Sequence, residues 1–363
     1  MGPRAKECRG ELREALKRVL ALAREREAEL LLIAGDLFEH PRVSRDTVSF
    51  LQDALHSLKV TQVCIAPGNH DPYLSESPYA TATWPDNVHI FCEDRWTTRC
   101  YPSLGVCVHG IAHTSFGDNA FHLGELLIGQ DNLLHIALMH GSDLGDVPPP
   151  YANRTYFPFR REELEHCGAH YVALGHYHCF RTLATGSSRP IGCYSGCPEG
   201  TGFDDEGNKV AVVVQLDPSG PILEPVTTCR RQYVTEAFNC SGVRSREEII
   251  QRLRAMVEER GWGGWLARIV LEGNMEPSVE FDLEDLAARG RGGLFHLELI
   301  DHTRPPYDVD RLRREQSARG EFVRRMERLL SELPADEENE RATLTLALTY
   351  GLDAFFQREI SKR

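Results

Sequence analysis

The sequence predicts an α/β protein of two or more domains, and three observations carry that reading. Short apolar runs alternate with amphipathic helical segments, polar residues collect immediately after those runs, and 363 residues with 41% hydrophobic and 26% charged positions supply enough chain for one large core and a smaller one. Apolar strands interleaved with helices imply parallel pairing with both sheet faces covered. Proteins of that design place ligands at the ends of their strands.

Residues 11–28 carry Leu12, Leu16, Val19, Leu20 and Ala23 at helical spacing and read as an amphipathic helix. Residues 29–34 form a buried-strand signal that runs straight into Gly35 and Asp36. A second helical pattern, 44–58, leads to a strand at 60–66 and then to Pro67, Gly68, Asn69, His70 and Asp71. Further strands are read at 88–91, 105–109, 133–139, 171–174 and 210–216, and a Pro/Gly-rich link at 218–225. Beyond it a small α+β unit is expected: strand 233–238, helix 246–260, strand 266–271, helix 282–288 and strand 294–299. Helices at 309–333 and 342–360 close the chain. The domains are therefore drawn at 1–225, 226–305 and 306–363.

Charge narrows the partners. The chain has 41 basic and 54 acidic residues, net −13, and residues 1–225 alone carry −10. A polyanion is not attracted by that overall field, so a nucleic-acid role needs a local basic patch, a metal or a partner. Neither an apolar run of membrane-spanning length nor a signal-peptide pattern is present. The expected location is cytoplasmic, with no membrane contact and with the eleven cysteines reduced and mostly buried.

Four places repeat one arrangement, a buried strand followed by a tight turn with oxygen or imidazole donors: Gly35-Asp36, Gly68 to Asp71, Met139-His140-Gly141, and Gly175-His176-Tyr177-His178. Mixed Asp, Asn and His donors without thiolates suit Mn, Fe or Zn. A carboxylate is able to bridge two cations, and a cation pair is the clamp used for in-line phosphoryl displacement. No Walker A loop, dinucleotide fingerprint, HExxH or GxSxG element appears.

On these residues the sequence resembles the calcineurin-like metallophosphoesterases, and within them the SbcD/Mre-type DNA repair exonucleases. The wider resemblance rests on GDLF at 35–38, PGNHD at 67–71, MHG at 139–141 and ALGHYH at 173–178. The narrower one rests on the Leu-Phe after Asp36, on YVALGHYH as a whole and on TRPPYDVD followed by a helix. It implies a two-sheet α/β sandwich flanked by helices, a small α+β capping domain, a helical C-terminal tail, and Mn-dependent hydrolysis of DNA phosphodiesters beside an SbcC-type coiled-coil ATPase. By position it implies that Asp36 bridges two metals, that Asn69, His140 and His176 complete one site, and that His178 contributes to the other. His70 becomes the catalytic residue, facing the scissile phosphate and serving the leaving oxygen, as suits an imidazole near neutrality. Asp71 is assigned to holding its turn or orienting a histidine.

The resemblance has one departure: the family's Asp-x-His ahead of the Asp36 strand has no counterpart, since residues 1–29 contain neither Asp nor His. The second metal site is thus incomplete in this sequence. Truncation of a preceding strand is the preferred reading, and a catalytically impaired scaffold for the ATPase the competitor. A phosphoesterase acting on nucleotides or small phosphodiesters is the alternative that the negative charge favours.

Three features are given structural readings: Cys193 and Cys197 as small buried residues, His109, His113 and His135 as core or sheet-face histidines, and Trp262 and Trp265 as packing. Along residues 311–330, Phe322, Val323, Met326, Leu329 and Leu330 make an apolar stripe among arginines. It is read as packing within its own domain, with contact to the ATPase or to a second copy in a homodimer as the sharper hypothesis.

Overall fold

The computed structural model describes residues 3–356 apart from 41, 118–119, 121, 130, 149–150, 152–154, 185, 187–189, 277 and 335–336. The chain divides into two compact units, Met1–Tyr233 and Val234–Arg363. Among the described residues no helix is long and apolar enough to cross a membrane.

In the first unit, helices α1 (Pro3–Glu25), α2 (Arg45–His56) and α3 (Pro78–Thr81) alternate with β1 (Leu30–Ile33), β2 (Gln62–Ile65) and β3 (Val88–Ile90). These three strands form one parallel sheet in the order β1-β2-β3. A second sheet is built from β4 (Thr97–Tyr101), β5 (Val106–Gly110), β6 (Leu134–His140), β7 (Tyr171–Gly175), β8 (Arg181–Ala184) and β9 (Pro190–Tyr194), with α4 (Arg161–His166) between β6 and β7. Its order is β4-β5-β6-β7-β9-β8, parallel through the middle and antiparallel at both edges. A hairpin, β10 (Val210–Asp217) and β11 (Gly220–Thr227), follows.

The strand periodicity of two sorts side chains into layers. Cys64 and Ala66 of one sheet meet Val108, Ile136, Leu138 and Ala173 of the other in a shared core. The opposite face of the first sheet, Val63 and Ile65, packs on Leu20, Leu51 and Leu55 of α1 and α2. The far face of the second, Ala137, Met139, Val172 and Leu174, packs on Phe157, Phe159 and Leu164. This is the two-sheet sandwich flanked by helices.

Two readings change. Residues 218–225 are not a link but the turn and second strand of the β10–β11 hairpin, with Pro225 opposite Val212, because an edge strand tolerates a residue that cannot donate to the ladder. Cys100 and Cys107 are not free thiols: they occupy directly opposed positions of β4 and β5 and form a disulfide. β4 carries no apolar alternation, so the facing of these two residues is invisible in the sequence.

The second unit contains the sheet β12-β13-β14, made of β12 (Tyr233–Asn239), β13 (Leu266–Glu272) and β14 (His296–Asp301), with α5 (Arg246–Glu259) and α6 (Leu283–Gly290) between its strands. Ser245 and Asp282 cap the two helices through their side chains. Trp262 is buried in this core and Trp265 packs against it. The tail forms α7 (Val309–Arg314), α8 (Ala318–Glu332) and α9 (Glu338–Phe356). The expected single helix over 309–333 is split because Ser317 caps a new start and Gly320 lets the chain close on the Glu315 carbonyl. Val323 and Phe322 pack with Leu312 and Leu352, so that part of the stripe serves the domain's own core.

Candidate metal centre

Strands of both sheets end at one place. β1 runs into Gly35-Asp36, β2 into residues 67–71, β6 finishes on His140, and β7 delivers His176. A Cβ on Gly68 would collide with the Asp36 carboxylate and one on Gly175 with the Ala34 carbonyl oxygen. Glycine is therefore what lets the β1 and β2 turns close on each other at Gly68, and turns of the two sheets at Gly175. Asp36 (φ 50°) and His176 (φ 107°) adopt left-handed backbone without being glycine, a conformation retained where the surroundings over-determine it.

The donors converge on an imidazole nitrogen. His140 Nδ1 donates to the Ala34 carbonyl at 2.7 Å, which leaves Nε2 facing Asn69 Oδ1 at 3.0 Å and Asp36 Oδ2 at 3.2 Å. His140 and Asn69 are buried, and Asp36 is only slightly exposed. Two oxygens aimed at one nitrogen call for a positive centre between them, a proton or a divalent cation. Burial works against a charged His140, yet the Asp36 charge outweighs it and raises the imidazole above its ordinary value. Burial would likewise raise Asp36, but the His140 charge and hydrogen bond, helped by the His70 N–H, hold that carboxyl well below the usual range. The His176 ring lies 5.3 Å from that of His140 and is surrounded by Tyr151, Tyr156 and Tyr177. The acceptor set fits a transition-metal cation, with Asp36, Asn69, His140 and His176 as the residues able to hold it.

Asp71 ties the turns together. Its carboxylate accepts hydrogen bonds from Asp36 N (3.0 Å), Phe38 N (3.0 Å), Gly68 N (2.7 Å) and the Tyr79 hydroxyl (2.6 Å). Burial and the neighbouring Asp36 charge push it up to about 6, against the pull of the Tyr79, Phe38 and Gly68 donors. Holding the turn, rather than touching substrate, is what this geometry does.

His178 makes a separate set of contacts. Its Nδ1 lies 2.7 Å from Asp205 Oδ1, and Asp205 Oδ2 accepts from Thr201 N (3.0 Å) and Thr201 Oγ1 (2.6 Å). A carboxylate on Nδ1 fixes the tautomer and leaves Nε2 as the donor atom, the arrangement common behind metal-bound histidines. Cys197, pushed up to about 12 chiefly by burial, places its sulfur within 4.8 Å of donor atoms of His178 and Asp205. Sequence reasoning missed Asp205, which sits in a glycine-flanked turn with no periodic signal, and treated Cys197 only as a packing residue; Cys193 is buried as expected.

His70 remains accessible. Its backbone N–H donates to Asp36 Oδ1 at 2.9 Å, and its Nδ1 is 3.3 Å from Glu39 Oε1. The imidazole thus stands beside the buried donors with its other nitrogen available. Asp36, His70, His140, His176 and His178 all line one cleft of about 1610 Å³. The same cleft is also lined by Leu30 and Leu32 of β1 and by Val212 and Val214 of β10. Among the described residues β1 pairs only with β2, and β10 only with β11.

With this geometry in hand, the comparisons with known proteins define the class. Residues 6–180 match the profile of the calcineurin-like phosphoesterase family, and the chain thus carries a calcineurin-like phosphoesterase domain. Among individual proteins, it is 26% identical over 207 residues to an uncharacterized metallophosphoesterase, YhaO of Bacillus subtilis, covering 56% of this chain and 49% of that protein. It is 23% identical over 267 residues to the DNA double-strand break repair protein Mre11 of Methanopyrus kandleri, covering 66% and 57%. The chain therefore spans about half the length of the curated relatives it matches. Among solved structures, TT1561 of Thermus thermophilus aligns with a TM-score of 0.37 at 15% identity, covering 59% of this chain and 93% of that one.

Proposed function

We propose that this phosphoesterase is a DNA phosphodiesterase of the repair-nuclease type, working with two divalent cations, Mn in preference to Fe or Zn. The observation that carries the reading is the convergence of Asp36, Asn69 and His140 on one point next to an exposed imidazole, His70. Asp36, Asn69, His140 and His176 hold one cation, while Asp36 and His178 belong to the second. Cations held by these residues would supply activation of a water and neutralisation of the phosphoryl oxygens. With Nδ1 donating to the Ala34 carbonyl, His140 would present Nε2 to the cation. His70, steadied by Glu39, donates a proton to the departing oxygen. DNA is the substrate and a coiled-coil ATPase of the SbcC type the partner, in line with the Mre11 relative; a homodimer is a further proposal.

The test is His70→Ala. Hydrolysis of bis-p-nitrophenyl phosphate and of plasmid or linear DNA should fall roughly 10²–10⁴-fold while Mn content after desalting is unchanged. Loss of metal would make His70 a ligand instead. The net charge of −10 over residues 1–225 favours a second reading, hydrolysis of nucleotides or small phosphodiesters, which turnover of cyclic nucleotides without any cleavage of DNA would select. Turnover of neither substrate by a chain that still binds an ATPase partner would select the impaired scaffold.

A further inference from the structure

A second cavity, of about 1080 Å³, adjoins the metal cleft. His40, Arg42 and Val43 line both, so the two spaces meet along the segment that follows Asp36. The wall of the second cavity includes the basic side chains of Arg42 and Arg45, His40, and the apolar Phe116, Leu74 and Pro78. Phe116 is 61% exposed, so its ring is open to contact with a ligand in the cavity.

The arginines here differ from most others in this unit. Arg13, Arg18, Arg26, Arg161 and Arg181 are each paired with a carboxylate, whereas Arg42 and Arg45 have no carboxylate partner among the described residues. Glu76 is the one acidic residue on the described wall, and it is occupied by the Ser75 hydroxyl. A chain whose first 225 residues carry −10 thus exposes uncommitted positive charge beside the reaction centre, which is the local patch a polyanion requires.

We propose that this cavity is the subsite for the nucleotide flanking the scissile phosphate in single-stranded DNA: the base stacks on Phe116, and the next phosphate is held by Arg42 and Arg45. Aromatic stacking tolerates any base, and phosphate contacts carry no sequence information, so the subsite binds strand ends without sequence preference. The inference rests on the DNA-cleaving reading and specifies where that substrate lies.

The experiment measures binding, by fluorescence anisotropy, of a short fluorescein-labelled oligothymidylate to the 363-residue chain in EDTA, where no metal contributes and nothing is cut. Phe116→Ala should weaken binding about 5- to 150-fold and have no effect on an abasic strand of the same length. Arg42→Gln and Arg45→Gln should each weaken both strands and each lower the salt dependence of log K by about 0.7. Arg95→Gln, an exposed arginine paired with Glu93, serves as control and should change neither. All four sites are exposed, and thermal melting checks that the variants fold. The same protein is assayed separately on bis-p-nitrophenyl phosphate with Mn. Hydrolysis without oligonucleotide binding, or binding indifferent to all three substitutions, overturns the subsite; binding that depends on them without any hydrolysis keeps the subsite and overturns the catalytic reading.

Discussion

Two groups of histidines in the same sheet show how little the residue type says by itself. His140 and His176 stand at the ends of β6 and β7, where the His140 ring faces oxygens of Ala34, Asp36 and Asn69 from the other sheet and the His176 ring lies 5.3 Å away. His109 and His135 lie on β5 and β6, equally buried, yet they form a chain: Thr98 Oγ1 to His109 Nδ1, His109 Nε2 to His135 Nδ1, and His135 Nε2 to Asp131 Oδ1, each 2.9 Å. His170 Nδ1, outside this ring-to-ring chain, accepts from the backbone N–H of His135 at 3.0 Å. In His109 and His135 every ring nitrogen is spoken for by a neighbour in line. At the strand ends the donors converge instead, and convergence of acceptors is what a cation needs.

Substitutions that separate the groups sharpen this contrast. The largest effect should come from His140→Asn: loss of tightly bound Mn, with phosphodiester hydrolysis reduced about 10³-fold or more, because metal charge stabilisation is worth several kcal/mol. Metal content and turnover measured on one preparation check it, and full retention of Mn would break the distinction. A smaller loss is expected for Asp205→Asn, which leaves His178 in place without its carboxylate. Mn affinity at the second position should drop roughly 10- to 100-fold, read by calorimetric titration, and an unchanged affinity would make Asp205 a purely structural residue.

The effect that belongs to the chain appears only in stability, not in metal binding or turnover. Burial, aided by the His135 charge, pushes His109 down to about 4. Above pH 6.5 it is neutral folded and unfolded alike. As pH falls from 6.5 to 4 the unfolded chain takes up a proton that the folded chain refuses, so stability is lost across that window, about 3 kcal/mol in all. His109→Gln should remove that slope from urea-unfolding curves while leaving Mn binding intact. Asp71, shifted the opposite way, acts in both proteins and drops out of the difference. Equal slopes would mean that the imidazole chain carries its proton in the folded state.

The turns of the site were legible because each combines an apolar run, a glycine and a donor: β1, β2, β6 and β7 fall where expected, and Asp36, Asn69 and His140 come together as one cluster. What stayed hidden has physical causes. β8 is four residues long with two of them exposed, β4 has three exposed positions in a row, and β11 contains two prolines, so none shows a period of two. Asp205 meets His178 across 27 residues of chain, and only folding reveals such a partner. The split between α7 and α8 depends on a single cap and on the absence of a side chain at Gly320, both local effects beneath a continuous helical pattern.

The left-handed backbone at His176 sets evolution and engineering at odds. A non-glycine residue in such a conformation costs on the order of 1–3 kcal/mol, and glycine would relieve it at once. Selection for thermal tolerance alone would therefore push position 176 away from histidine and degrade the cluster while improving the fold. Consensus or directed stabilisation of this chain is safe in its helices and outer strands, and hazardous at the few positions where the least comfortable residue is the one that must remain.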